Sequence, residues 1–218
     1  MKKSIFKVMT DPRGFIKSLV SKNISKVPLY IVWVIGMVYL MRQGAGFQLS
    51  FRFSYGWIVL AAAILAIPFG YGILYLFSIL LYWSGKLFKG KANFKDLVLA
   101  VGYGRVPEIF VLISWLLIVL LLGQATFTQV YILNGLPNFL TVLLYTQLFF
   151  YIWEFVICLH TIGEVQGFSA WMALWNYILG GALLMVVAFF LEFAAASIFS
   201  LNTDGAKSSI SLILGLIK

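Results

Sequence analysis

Long apolar runs broken by short polar stretches fill the chain from residue 28 onward. Five runs stand out, at about 28–41, 55–83, 107–123, 139–162 and 171–200. A bilayer's hydrocarbon core of ~30 Å takes about 20 apolar residues of helix. The first run is short and draws on flanking residues or on Arg42 snorkelling to the interface. The second is long, with Trp57 and Trp83 as interfacial anchors, and Pro68 beside Gly70 and Gly72 predicts a kink. The pattern predicts an all-α integral membrane protein, a bundle of five transmembrane helices.

The polar breaks add two smaller elements. Over 11–27, Phe15, Ile16, Leu19, Val20, Ile24 and Val27 gather on one side of a helix, and Arg13, Lys17, Ser21, Lys22 and Ser25 take the other. Asp11 caps it, Pro12 suits its first turn, and the whole reads as an N-terminal interfacial amphipathic helix. A short cytoplasmic helix at 94–101 lies between spans 2 and 3, started by Asn93 and broken by Gly102, Tyr103 and Gly104. Residues 42–54 and 124–138 read as outer loops, the latter marked by Gln124, Gln129, Asn134 and Pro137, and 163–170 as a tight inner turn. The chain then divides into a cytoplasmic or interfacial segment at 1–27, a membrane domain at 28–200 and an outer tail at 201–218.

Composition agrees: 62% of the 218 residues are hydrophobic, 11% are charged, and mean hydropathy is +1.00. Soluble domains carry about 25% charged residues. The net charge of +9 raises nucleic acid as a partner, but its placement argues otherwise. Twelve of the 16 lysines and arginines lie before the first span or between spans 2 and 3. That is positive-inside topology, with the N-terminus cytoplasmic, the C-terminus outside, and anionic lipid as the partner rather than nucleic acid. Residues 1–26 show no cleavable signal peptide. Cys158, the sole cysteine, sits in an apolar run and forms no intramolecular disulfide.

Chemistry is sparse. Gln147, Tyr151, Glu154, Cys158 and Thr161 are spaced four, three, four and three, one helix face about 21 Å long. A carboxylate at mid-membrane costs about 2.5–3.5 kcal/mol on insertion scales, so Glu154 faces the bundle interior or is protonated. The stripe reads either as a polar path for protons, ions or solute, or as a face bonded to neighbouring helices. Glu192, the second intramembrane carboxylate, shares a face with Gly181, Ala188 and Ala195, a small-residue groove for helix packing. Glu108 follows Pro107 at a helix start, where it favours the dipole, with Arg105 close enough to pair. His160 and Glu164, four apart, fall short of a metal site. Val101-Gly102-Tyr103-Gly104 looks like part of a potassium-channel filter, but Ala100 precedes it and Arg105 follows. With no phosphate-binding loop, nucleophile elbow or zinc motif, no enzyme, cofactor or metal is expected.

Several strings together resemble the Yip (Ypt-interacting protein) domain family of five-span membrane proteins. Asp11-Pro12-Arg13-Gly14-Phe15 looks like the prokaryotic members' entry into the membrane, and Gly102-Tyr103-Gly104-Arg105-Val106-Pro107 like the family's Gly-Tyr-x-x-x-Pro turn, here Gly102, Tyr103 and Pro107. Ile152-Trp153-Glu154 and Gly163-Glu164-Val165-Gln166-Gly167-Phe168-Ser169 are similar to the end of the fourth span. The Asp-Leu-Tyr-Gly-Pro string of eukaryotic members is absent, so their link to prenylated GTPases is not carried over. The resemblance implies the cytoplasmic membrane of a prokaryote and an accessory or scaffold role beside membrane proteins such as an export system. A membrane-protein partner or self-oligomer follows; the alternative is a small transporter or permease subunit working around Glu154.

Overall fold

The computed structural model describes residues 5–24, 26–128, 138–187 and 189–190. Its helices are α1 (Lys7–Thr10), α2 (Pro12–Val20), α3 (Leu29–Gly46), α4 (Tyr55–Leu87), α5 (Phe94–Gly104), α6 (Glu108–Leu122), α7 (Asn138–Gln166) and α8 (Ala170–Val187). Short 3-10 turns lie at Leu49–Phe51 and Gly123–Phe127. Five helices, α3, α4, α6 with its 3-10 extension, α7 and α8, are long and apolar enough to cross a membrane. The all-α bundle expected from the hydropathy pattern is the fold of the described residues. Ala188, Glu192, Ala195, the loop markers Gln129, Asn134 and Pro137, and the tail 201–218 lie outside them.

The amphipathic segment folds as predicted at its start and stops earlier. The Asp11 side chain accepts from Gly14 N–H at 2.9 Å and Pro12 opens α2. The helix ends at Val20, not 27, because Asn23 takes a left-handed φ of 53° and Ile24 N–H returns to Leu19 O at 3.2 Å. Asparagine tolerates that conformation better than most residues, and the turn lets the chain rise into α3. Phe15 and Ile16 are buried against the protein itself, Phe15 meeting Tyr103 edge-on at 5.3 Å, while Lys17 is exposed. The apolar side of α2 therefore seals one end of the bundle.

α3 and α4 pack closest. A Cβ on Gly36 would fall on the Ala66 carbonyl, and one on Gly70 on the Val32 carbonyl, so the two backbones touch where they cross. α4 runs helical through Pro68. Proline removes one helix hydrogen bond there, and Trp33 Nε1–H donates to the neighbouring Ala63 carbonyl at 3.0 Å. α3 continues to Gly46 rather than ending near 41, which places Arg42 inside the helix.

α5 departs furthest from its expected form. It extends three residues past 101, and Leu97 through Gly104 are all buried. Gly102 and Gly104 do not break it. A Cβ on Gly102 would meet Val27 Cγ2 at 2.5 Å, and one on Gly104 would meet Cys158 Sγ at 2.6 Å. These glycines let neighbouring elements approach. What reads as a cytoplasmic loop helix is thus the core of the basic end, enclosed by α2, α3, α4 and α7.

Candidate functional site: an ion-pair cluster inside the bundle

Arg105 caps α5, and three residues later Glu108 opens α6 from Pro107. This corner aims the guanidinium at two carboxylates on different helices. Arg105 Nη2 lies 2.7 Å from Glu108 Oε1, and Arg105 Nε lies 3.1 Å from Glu154 Oε1 on α7. Both glutamates are buried. Burial alone would lower the Arg105 pKa; the carboxylates of Glu108 and Glu154 more than reverse this and hold it above the usual arginine value. The result is a charge-assisted bridge that ties the α5–α6 corner to α7.

A second arginine stands further along the bundle. Arg42 of α3 places its Cζ 4.8 Å from the centroid of the Tyr151 ring, one turn from Glu154. α6 and α7 meet through Phe110 and Phe150, stacked with centroids 4.5 Å apart. Trp115 and Gln147 each lie seven residues, about 10 Å, from Glu108 and Glu154 in the same direction along the bundle. Trp115 Nε1, Gln147 Nε2, Glu108 Oε2 and Glu154 Oε2 are buried without a hydrogen-bond partner. These groups put donors toward one end of the α6–α7 faces and acceptors toward the other.

The stripe on α7 is divided between two environments. Gln147, Tyr151 and Glu154 share the cluster with α6 and Arg42, whereas Cys158 and Thr161 are buried under α5. Thr161 Oγ1–H is 2.9 Å from the Ala100 carbonyl and Cys158 faces Gly104. No polar lining continues from Glu154 toward that end through these two residues. Thr161→Val is expected to cost about 1 kcal/mol, read as a lower unfolding midpoint, because the buried Ala100 carbonyl loses a donor.

The other predicted residues fall as follows. Tyr103 is buried against Phe15, so the Gly102–Tyr103–Pro107 turn faces inward. His160 Nδ1 accepts from Arg13 Nε–H at 3.3 Å, a partner on α2 rather than Glu164. Gly181 belongs to α8, and a Cβ there would meet nothing within 4 Å. Among the described residues no group of three His, Cys, Asp or Glu is placed to hold a metal ion. Sequence reading missed the Arg105–Glu154 link and the role of Arg42. The available signal was depth: a buried carboxylate needs a cation, and both arginines stand close to span ends.

The fold and its cluster define a polytopic helical membrane protein closed by internal ion pairs. A family model, the Yip1 domain, matches residues 6–213, nearly the whole chain. The protein belongs to the Yip1 domain family. No curated protein and no solved structure matches the chain.

Proposed function

We propose that this protein is a non-enzymatic accessory or scaffold protein that docks another membrane protein through α8. The observation that supports this is how lightly α8 is seated. Only 17% of its 18 residues are buried, against 56% in α3. Ala173, Asn176 and Gly180 form the buried stripe, with Ser84 Oγ–H donating to Asn176 Oδ1 at 2.6 Å and Gly180 closing on Leu81. Gly181, next to that stripe, leaves open space where a Cβ would stand, the kind of small residue through which membrane helices approach one another. The positive-inside distribution sets the orientation of this reading, with α2 and α5 on the cytoplasmic side and the C-terminus outside. The family resemblance supports the membrane of a prokaryote.

The test compares two adjacent glycines in pull-downs from native membranes. A Cβ at Gly181 meets nothing within 4 Å, so Gly181→Leu is expected to leave the unfolding midpoint within about 0.5 kcal/mol and to remove a co-purifying partner. Gly180→Leu, which collides with Leu81, is expected to lower the midpoint. A partner retained at full stoichiometry by Gly181→Leu sinks the docking face.

Transport is the second reading, favoured by the buried unpartnered atoms of Glu108, Trp115, Gln147 and Glu154. Such atoms are satisfied by water or a small polar solute in a hydrated path. Against it stand the Arg105 bridge and the burial of Cys158 and Thr161 under α5. Purified protein in liposomes is expected to move no protons under an imposed gradient. A flux that disappears in Glu154→Gln would replace the scaffold reading with this one.

A further inference from the structure

A groove of about 320 Å³ runs between the N-terminal helices and α7, away from the ion-pair cluster. Met9 and Pro12 form one wall, and Phe149, Trp153 and Val156 form the floor along α7, which ends at His160. From Phe149 to His160 the floor spans about 16 Å of helix, close to one leaflet's share of a ~30 Å hydrocarbon core. The floor is apolar from Phe149 to Ile157 and polar at His160, and the polar wall residue Thr10 turns its hydroxyl to the Lys7 carbonyl at 3.3 Å. At the polar end Arg13, just outside the lining, reaches His160 with its Nε–H on the imidazole Nδ1 at 3.3 Å, and its Nη2 lies beside Gly163, 3.7 Å from where a Cβ would stand. Lys7 on α1 and Lys17 on α2 are exposed on the same N-terminal helices. The acidic neighbours are Asp11, whose carboxylate is engaged with Gly14 N–H, and Glu164, one turn past His160.

We infer that this groove is a binding site for one anionic phospholipid of the leaflet on the α2 side, with its phosphate at Arg13 and an acyl chain along α7. Charge complementarity selects this occupant. A guanidinium presents parallel donors to a phosphate, and the lysines add sequence-independent attraction to an anionic head group. A zwitterionic lipid fills the apolar floor equally well and gains less at the head. The site does not depend on the docking role of α8, since α7, α1 and α2 build it alone.

The experiment is native mass spectrometry of the full chain released from detergent, titrated with phosphatidylglycerol or with phosphatidylcholine of the same acyl chains. One phosphatidylglycerol is expected to remain bound, with an affinity about fivefold or more above that of phosphatidylcholine. Arg13→Gln is expected to remove that preference. Val156→Trp, which fills the floor and leaves the basic end intact, is expected to lower binding of both lipids. His160→Ala breaks the same Arg13 contact but keeps the guanidinium, and is expected to retain the preference. Equal affinity of the unmodified protein for the two lipids would overturn the inference, as would unchanged phosphatidylglycerol binding in both Arg13→Gln and Val156→Trp.

Discussion

Arg105→Met is expected to destabilise the bundle by about 3–5 kcal/mol, because it leaves two buried carboxylates facing each other without their cation. The side chain itself packs tolerably in that volume, so the loss is electrostatic in origin. The control follows from the same physics. Adding Glu108→Gln and Glu154→Gln to Arg105→Met removes the uncompensated charge and is expected to recover most of the loss. Thermal or chemical unfolding of the purified protein in one detergent reads all of these variants. If the single variant loses less than about 1 kcal/mol, the bridge contributes little and the carboxylates are neutralised by other means. If the triple variant stays as unstable as the single one, the guanidinium works through packing and not charge.

The second large effect belongs to the crossing of α3 and α4. Gly36→Ala and Gly70→Ala each drive a methyl into a backbone carbonyl of the facing helix, and backbone cannot rotate away as a side chain can. Each is expected to cost about 1–3 kcal/mol by overpacking. The double variant is expected to cost less than the sum, because the first methyl already separates the helices at the shared crossing. Gly72→Ala on α4 meets nothing within 4 Å and is expected to be neutral or slightly stabilising in the same unfolding assay. Additive losses at 36 and 70 would mean that the two contacts yield independently.

These two sites mark what sequence reading reaches. The spans were legible because a bilayer imposes a length and a polarity on any helix that crosses it, and the start of α2 because Asp11 and Pro12 act through local backbone geometry. Glu154 was legible as an inward-facing carboxylate for the same solvation reason. The Arg105 bridge was less so: counting lysines and arginines by loop treats Arg105 as one more basic-side charge, when its guanidinium turns back into the protein. Gly102 and Gly104 were read as helix breakers because glycine is permissive, yet their purpose is contact with Val27 and Cys158, which are 75 and 54 positions away in the chain. Long-range proximity of that kind leaves no periodic trace. The same limit applies to α5, whose apolar run from Leu97 to Val101 signals burial without naming what buries it.

The burial of α5 also dictates an order of assembly. An 11-residue helix is too short to cross a bilayer alone, and Arg105 at its end opposes entry into hydrocarbon. α3 and α4 can insert and pair through Gly36 and Gly70 as soon as both have left the ribosome. α5 is expected to stay incompletely covered until α7 supplies Glu154 and Thr161, although α2, α3 and α4 already stand against it. A chain carrying Ala100→Cys and stopped at residue 137 is therefore expected to react with a water-soluble maleimide, and the full-length protein carrying Ala100→Cys together with Cys158→Ser to resist it. The core helix of this end is thus synthesised before the helix that covers it, an interval in which the unfinished protein is expected to be more open to proteases than the full-length one.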